Sequence, residues 1–336
     1  MNMIEAVNVS KNYGVIEAVK DVSFMASHAE ILGLLGPNGA GKTTIMKILT
    51  GYHFPSSGQV RIAGFSVEEE PEEIKKRIGY LPEGNPLYGD LSPEEYLSFI
   101  ASVRLIPKRE RQKAVDAAIT ACGLKGYSGR RIDSLSKGYR QRTALAQAII
   151  HDPDILILDE PTSGLDPNQI IEIRSLIREL GKSKTVILST HIMQEVEALC
   201  TRVLILNEGR IAAQGTAAEI AGKVKGDGGD TWELFLKGAR AEELSINLSS
   251  LGKIRAISEI SALAMDNGIT KLEFTLEAGN DEDEGAAFAV NGELIFDWAL
   301  DHGYKIIGMT RKSLKLEDIF AKLTNEPSDG MENGRT

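Results

Sequence analysis

Apolar and polar positions alternate between two textures through the first 215 residues. Short β-rich runs at Ile4–Val9, Ile31–Leu35, Ile78–Leu81, Ile155–Leu158, Val186–Leu188 and Val203–Leu206 predict strands. Between them, Lys42–Gly51, Pro93–Arg104, Lys108–Cys122, Tyr139–Ile150 and Pro167–Gly181 have helical periodicity, with a leading Ser or Pro in places and a closing Gly. Such alternation predicts an α/β domain over residues 1–215 built on a mostly parallel sheet. The block Glu83–Leu135 holds no β-rich run and reads as a helical subdomain inserted between strands.

The texture changes after Gln214-Gly215. Gly222–Gly229 has the glycine and charge content of a linker, so residues 216–229 are expected to join two domains. Beyond them, Trp232–Leu236, Ile254–Ile260, Lys271–Leu276 and Tyr304–Thr310 read as strands, Ala239–Leu251 and Glu293–His302 as helices. A small α+β domain over residues 230–325 follows, a ferredoxin-like plait if Ser261–Met265 joins the central pairing. Asn280–Gly285 is read as a solvated acidic loop in preference to a cation site. In Glu326–Thr336 only Met331 is apolar, and a disordered tail is expected.

A chain of 336 residues, 42% apolar and 26% charged, fits two globular domains and excludes collagen-like or wholly disordered readings. The net charge of −10 is uneven: residues 216–336 hold 13 Lys and Arg against 22 Asp and Glu. No basic patch stands out, so nucleic acid is not an expected partner. Cys122 and Cys200 are far apart and form no CxxC, which argues against a disulfide framework or thiolate metal site and for a reducing cytosol. The longest apolar runs fall short of the roughly 18–20 residues of a spanning helix, and Met1–Ser10 lacks the pattern of a signal peptide.

Chemistry enters at Gly36-Pro37-Asn38-Gly39-Ala40-Gly41-Lys42-Thr43-Thr44, which matches G-x-x-x-x-G-K-[ST] between an apolar strand and a helix. In such a phosphate-binding loop Gly39 and Gly41 allow close backbone approach, Lys42 reaches the β- and γ-phosphates, and Thr43 offers a hydroxyl to Mg²⁺. The run Ile155–Leu158 ends in Asp159-Glu160, placing carboxylates at the sheet's C-terminal edge beside that loop. Asp159 is the candidate for the Mg²⁺ shell and Glu160 for the general base acting on water.

Leu135-Ser136-Lys137-Gly138-Tyr139 resembles the LSGGQ signature of the ATP-binding subunits of ABC transporters, departing from it at Lys137 and Tyr139. The resemblance implies that Ser136 and Gly138 face the γ-phosphate of ATP held on a second subunit. In the family's order, Ser163-Gly164-Leu165-Asp166 resembles the D-loop, through which Asp166 would cross the dimer interface. His191 resembles the switch histidine that contacts the γ-phosphate, and Tyr13 the aromatic that stacks on adenine. Where the family usually has the Q-loop glutamine, Ile78-Gly79-Tyr80-Leu81-Pro82-Glu83 ends in an acid, which can still ligate Mg²⁺. The segments GYLPEGNPLY and LSKGYRQR, with Ser313–Phe320, resemble ATPases of the ABC-2 exporter branch, including gliding-motility-associated subunits. The family thus implies a P-loop ATPase that binds ATP and Mg²⁺, closes as a homodimer and drives a separately encoded permease. It would contact that permease through Glu83–Arg104 and sit in the cytoplasm at the inner face of the membrane. A non-transport ABC ATPase, a P-loop small-molecule kinase and a non-hydrolysing regulator are the alternatives.

Overall fold

The computed structural model describes residues 2–225, 230–248, 251, 254–262, 269–276, 284–312, 319–320 and 323. They form two compact units, one running to Ile220 and including Phe320 and Leu323, the other spanning Ala221–Ile319.

The first unit is built on a six-stranded sheet of β3 (Ile31–Leu35), β6 (Ile78–Leu81), β7 (Ile155–Asp159), β8 (Thr185–Thr190), β9 (Arg202–Asn207) and β10 (Arg210–Gly215), in the order β10-β9-β3-β8-β7-β6. All neighbours are parallel except β10, which turns back on β9. The parallel strands are continuous apolar runs because both of their faces are covered. Ile155 and Ile157 of β7 pack in one core with Ile4 and Met46, while Leu156 and Leu158 pack in another with Leu145 and Ile173.

The first of these cores is closed by a four-stranded antiparallel sheet of β1 (Asn2–Tyr13), β2 (Ile16–Ser27), β4 (Ser57–Ile62) and β5 (Phe65–Ser66), ordered β2-β1-β4-β5, together with α1 (Lys42–Leu49). Of this sheet only Ile4–Val9 was expected. Its strands bury one face, Val19, Phe24 and Ile62 among others, and leave Val7, Ile16 and Met25 exposed, so apolar runs are interrupted by polar residues and by irregular register.

The short α2 (Pro71–Arg77) and α7 (Met193–Leu199) were also not expected. Between β6 and β7 stand α3 (Pro93–Val103), α4 (Lys108–Ala121) and α5 (Lys137–Ile149). Ser92 opens α3 with a capping box to Glu95, and Leu97, Ala101, Val115 and Ile119 bury its contact with α4 and α5. Next come α6 (Pro167–Gly181) and α8 (Ala217–Lys225). Helix α8 occupies most of the segment 216–229 expected to join the two domains, where glycine and charge content alone did not suggest a helix. Thr216 Oγ1 accepts the Glu219 N–H at 3.2 Å while Glu219 Oε2 accepts the Thr216 N–H at 2.7 Å, and Ile220 is buried. Residues 226–229 lie outside the described residues.

The second unit follows the order β11 (Asp230–Lys237), α9 (Ala241–Leu248), β12 (Ile254–Ala262), β13 (Ile269–Leu276), α10 (Glu284–Asp301) and β14 (Lys305–Lys312). Its sheet order is β12-β13-β11-β14 with every pair antiparallel, a split β-α-β arrangement around Trp232, Leu234, Phe274 and Ile295. Ser261 and Ala262 end β12, paired with Lys271 and Thr270. Helix α10 begins at Glu284, inside the expected acidic loop, and is longer than predicted. Residues 263–265, 280–283, 313–318 and the expected tail lie outside the described residues.

Candidate functional site

Parallel pairing brings the chemistry to one edge. Leu35 pairs with Thr190, Asp159 with Ser189 and Leu81 with Leu158, so the residues that follow β3, β8, β7 and β6 emerge side by side at the strands' C-terminal ends. They surround a cleft of about 350 Å³, with Asn38–Thr44 on one side and Glu83, Asp159, Glu160 and His191 on the other. Ala18, not singled out from sequence, and Ser163, named there only as the start of the D-loop-like motif, complete the lining.

The loop after β3 needs its glycines. Gly41 has φ 103°, and a Cβ there would stand 2.6 Å from the Ala18 carbonyl oxygen; a Cβ on Gly36 would meet the Leu206 carbonyl oxygen at the same distance. Lys42 opens α1 and is buried, its Nζ donating to the Gly36 carbonyl at 2.7 Å and the Pro37 carbonyl at 3.2 Å. Burial lowers its pKa, and the nearby carboxylates of Glu160, Asp159 and Glu83 offset part of that shift. The result is a desolvated ammonium at the N-terminus of a helix, an arrangement that favours bound phosphate.

Asp159 is buried at the end of β7, where Oδ1 accepts the Ser189 hydroxyl and Oδ2 has no hydrogen-bond partner. A buried carboxylate oxygen without a donor, sharing a cleft with the Thr43 hydroxyl, fits a hard cation. Among the described residues no group of three or more His, Cys, Asp and Glu could hold a metal ion. A cation here would have the Glu83 carboxylate in the lining of the same cleft and would take its other oxygens from phosphate and water, as Mg²⁺ does. Burial, reinforced by the charge of Asp159, pushes the Tyr80 hydroxyl up to about 12.

Glu160 adopts φ 48°, in the left-handed region, held there by its N–H, which donates to the Ser189 carbonyl at 3.2 Å and the Ser189 hydroxyl at 3.1 Å. Burial raises its carboxyl pKa, opposed chiefly by the hydrogen bond and charge of His191. His191 Nδ1 lies 3.0 and 2.9 Å from the two carboxylate oxygens, while its ring is more than half exposed. A shielded carboxylate steered by an imidazole, across the cleft from a phosphate loop, can take a proton from water.

The other predicted residues lie elsewhere. Ser136 caps α5 by accepting the Tyr139 N–H at 3.4 Å, and Asp166 caps α6 by accepting the Gln169 N–H at 2.9 Å. Gly138 packs so tightly on Gln169 that a Cβ would come within 2.6 Å of it, and Lys137 lies over Gly164. Tyr139 stacks on Tyr127 with ring centroids 3.7 Å apart. Tyr13, at the end of β1, is exposed and meets His53 edge-on at 5.6 Å. None of Tyr13, Ser136, Gly138 and Asp166 lines the cleft.

Comparison with known proteins agrees with this geometry. The family model described as ABC transporter matches residues 19–163. The ABC transporter ATP-binding protein NatA of Bacillus subtilis is 38% identical over 203 residues, 60% of this chain and 82% of NatA. The chain belongs to the ABC transporter ATP-binding proteins. The linearmycin resistance ATP-binding protein LnrL of Bacillus subtilis is 31% identical over 326 residues, covering 96% of this ABC protein and 98% of LnrL, so the likeness continues through the second unit. Among solved structures, a dimeric post-hydrolysis ATP-binding cassette bound to ADP and Pi matches with TM-score 0.59 and 25% identity, covering 64% of this chain and 98% of the cassette. An ATP binding subunit of an ABC transporter matches with TM-score 0.61 and 29% identity over 74% of this chain and 99% of its own. The first unit is the P-loop ATPase cassette and binds ATP. These relatives lend nothing to the narrower gliding-motility resemblance.

Proposed function

We propose that this chain hydrolyses Mg-ATP as a head-to-tail homodimer and thereby powers a separately encoded ABC-2-type permease, with export as its direction. The observation that carries the reading is the Glu160–His191 pair, 2.9 Å apart, facing the loop that holds Lys42 across one cleft.

Each residue has a distinct task in this reading. Backbone N–H groups of Asn38, Gly39, Gly41, Thr43 and Thr44 cradle the phosphates, and Lys42 exchanges its carbonyl partners for β- and γ-phosphate oxygens. Thr43, Asp159 and Glu83 would hold Mg²⁺, which would supply positive charge against the phosphate oxygens. Glu160 takes a proton from the attacking water, and its raised pKa makes it a stronger base than an ordinary exposed carboxylate. His191 holds the Glu160 carboxylate in direction and offers its remaining ring nitrogen to the γ-phosphate. Tyr13 gives its ring face to adenine. Ser136, Gly138 and Asp166 serve the site of the partner subunit, which explains why they do not line their own cleft. The dimeric state of the solved cassette bound to ADP and Pi supports this arrangement.

Export is supported by the names of two relatives, the linearmycin resistance protein above and the probable multidrug ATP-binding protein YbhF of Escherichia coli, 36% identical over 229 residues. No helix among the described residues is long and apolar enough to cross a membrane. In this reading the protein works in the cytoplasm, peripheral to the membrane, and meets the permease through the segment around Glu83–Arg104. Tyr88, Phe99 and Val103 stay exposed there.

The test is affinity capture of tagged Glu160→Gln from detergent-solubilised host membranes in Mg-ATP. Recovery of a polytopic protein without its own ATPase domain is expected. Recovery of soluble partners alone would overturn the transport reading.

A further inference from the structure

The loops that carry Glu160 and His191 are joined by a buried carboxylate. Glu195, on α7, is fully buried. Its Oε1 accepts the hydroxyl of Thr162, and its Oε2 accepts the hydroxyl of Thr190 at 2.8 Å. Arg174, from α6, brings Nη2 to 3.8 Å from Oε1. Thr162 lies two residues after Glu160, and Thr190 immediately precedes His191. The Thr190 hydroxyl also accepts the Ile192 N–H at 3.1 Å, so the backbone is held on both sides of the histidine.

Two physical points make this more than packing. An apolar side chain of similar size would hold α7 against the sheet without the desolvation cost of a carboxylate, and such replacements are often neutral or stabilising. A carboxylate, by contrast, is acceptor-only, so it compels both threonine hydroxyls to donate to it and sets their rotamers. With Thr190 donating to Glu195, a lone pair of its hydroxyl is left for the Ile192 N–H. The bridge therefore orders two loops from one side, while the Glu160–His191 hydrogen bond joins them on the other.

We infer that Glu195 is a positioning residue for hydrolysis: through Thr162 and Thr190 it sets the separation of Glu160 and His191, and with it the direction of the base toward water. This rests on the roles given to Glu160 and His191 above. Glu195 touches no reacting atom. It acts on the geometry of groups that do, where a displacement of about 1 Å can cost on the order of 100-fold in rate.

The experiment is a kinetic cycle on the full chain with Glu195→Gln, His191→Ala and the double variant, measuring kcat, KM and the Kd for a fluorescent ATP analogue. Glutamine keeps the shape but must turn an N–H₂ toward one of the two hydroxyls. The expected result is a fall in kcat of about 10- to 100-fold, with Kd within about twofold of the parent. Once His191 is removed, the same change should cost little further, because both act on one carboxylate. Thr162→Val removes one arm of the bridge without altering Glu195 and should reproduce the fall in kcat; it decides the matter if Glu195→Gln melts early. Parent-like kcat in both Glu195→Gln and Thr162→Val, a parallel loss of nucleotide affinity, or strict additivity with His191→Ala would overturn the inference. Glu160→Gln is assayed alongside: parent-like turnover there refutes the base assignment itself, whereas lost turnover together with additivity refutes only the role of Glu195.

Discussion

Lys42 and Glu160 have their electrostatics shifted in opposite senses by the same cleft, and each shift leads to a measurement. Burial disfavours the Lys42 ammonium, and its present partners are two backbone carbonyls. Phosphate oxygens are stronger, charged acceptors for it. Lys42→Ala should therefore weaken ATP binding by about 3 kcal/mol, roughly 100-fold in Kd, in a fluorescent-nucleotide titration. For Glu160, burial raises the pKa and His191 pulls it back. A base must be ionised to work, so activity falls as pH drops through that pKa. The acid limb of kcat belongs above the ordinary carboxylate value of 4.5, and the residual activity of His191→Ala should show the limb moved to still higher pH. A limb that stays in place or moves down in that variant would count against the Glu160–His191 pairing.

At the scale of elements, local signals were readable where they carry their own chemistry. The loop from Gly36 to Thr44 was legible because its glycines and lysine are required by backbone geometry and charge at fixed spacing. The central strands were legible because burial on both faces demands unbroken apolar runs. The antiparallel sheet was largely missed, since half of each strand faces solvent and its register is irregular. Helix α8 was missed although its start was written in Thr216-Ala217-Ala218-Glu219, a capping box overshadowed by the glycines that follow. Thr216→Ala should cost about 0.5–2 kcal/mol of stability in urea unfolding while leaving ATP affinity unchanged. An unchanged midpoint would mean that α8 gains nothing from its cap.

For the whole molecule, the cleft of one chain is only part of the proposed site. Ser136, Gly138 and Asp166 cap or begin helices outside it, and in the proposed dimer they would complete the cleft of a second copy. Glu160→Gln, which should bind ATP without consuming it, is expected to sediment at twice the monomer mass in Mg-ATP and as a monomer in ADP. A variant that stays monomeric with Mg-ATP would remove the basis for the trans assignment.

While the other motifs were placed by resemblance to the family, residue types and spacings alone were enough to pick out the phosphate-loop pattern and the acids closing the strand Ile155–Leu158, because those features are local. They did not reveal that Ser189 would hold both Asp159 and the Glu160 backbone, or that Glu195 would tie Thr162 to Thr190. Nor did they show that Asp159 would keep one buried oxygen without a donor. Those relations join residues some thirty positions apart, and they exist only because adjacent parallel strands deliver their ends to one edge of the sheet.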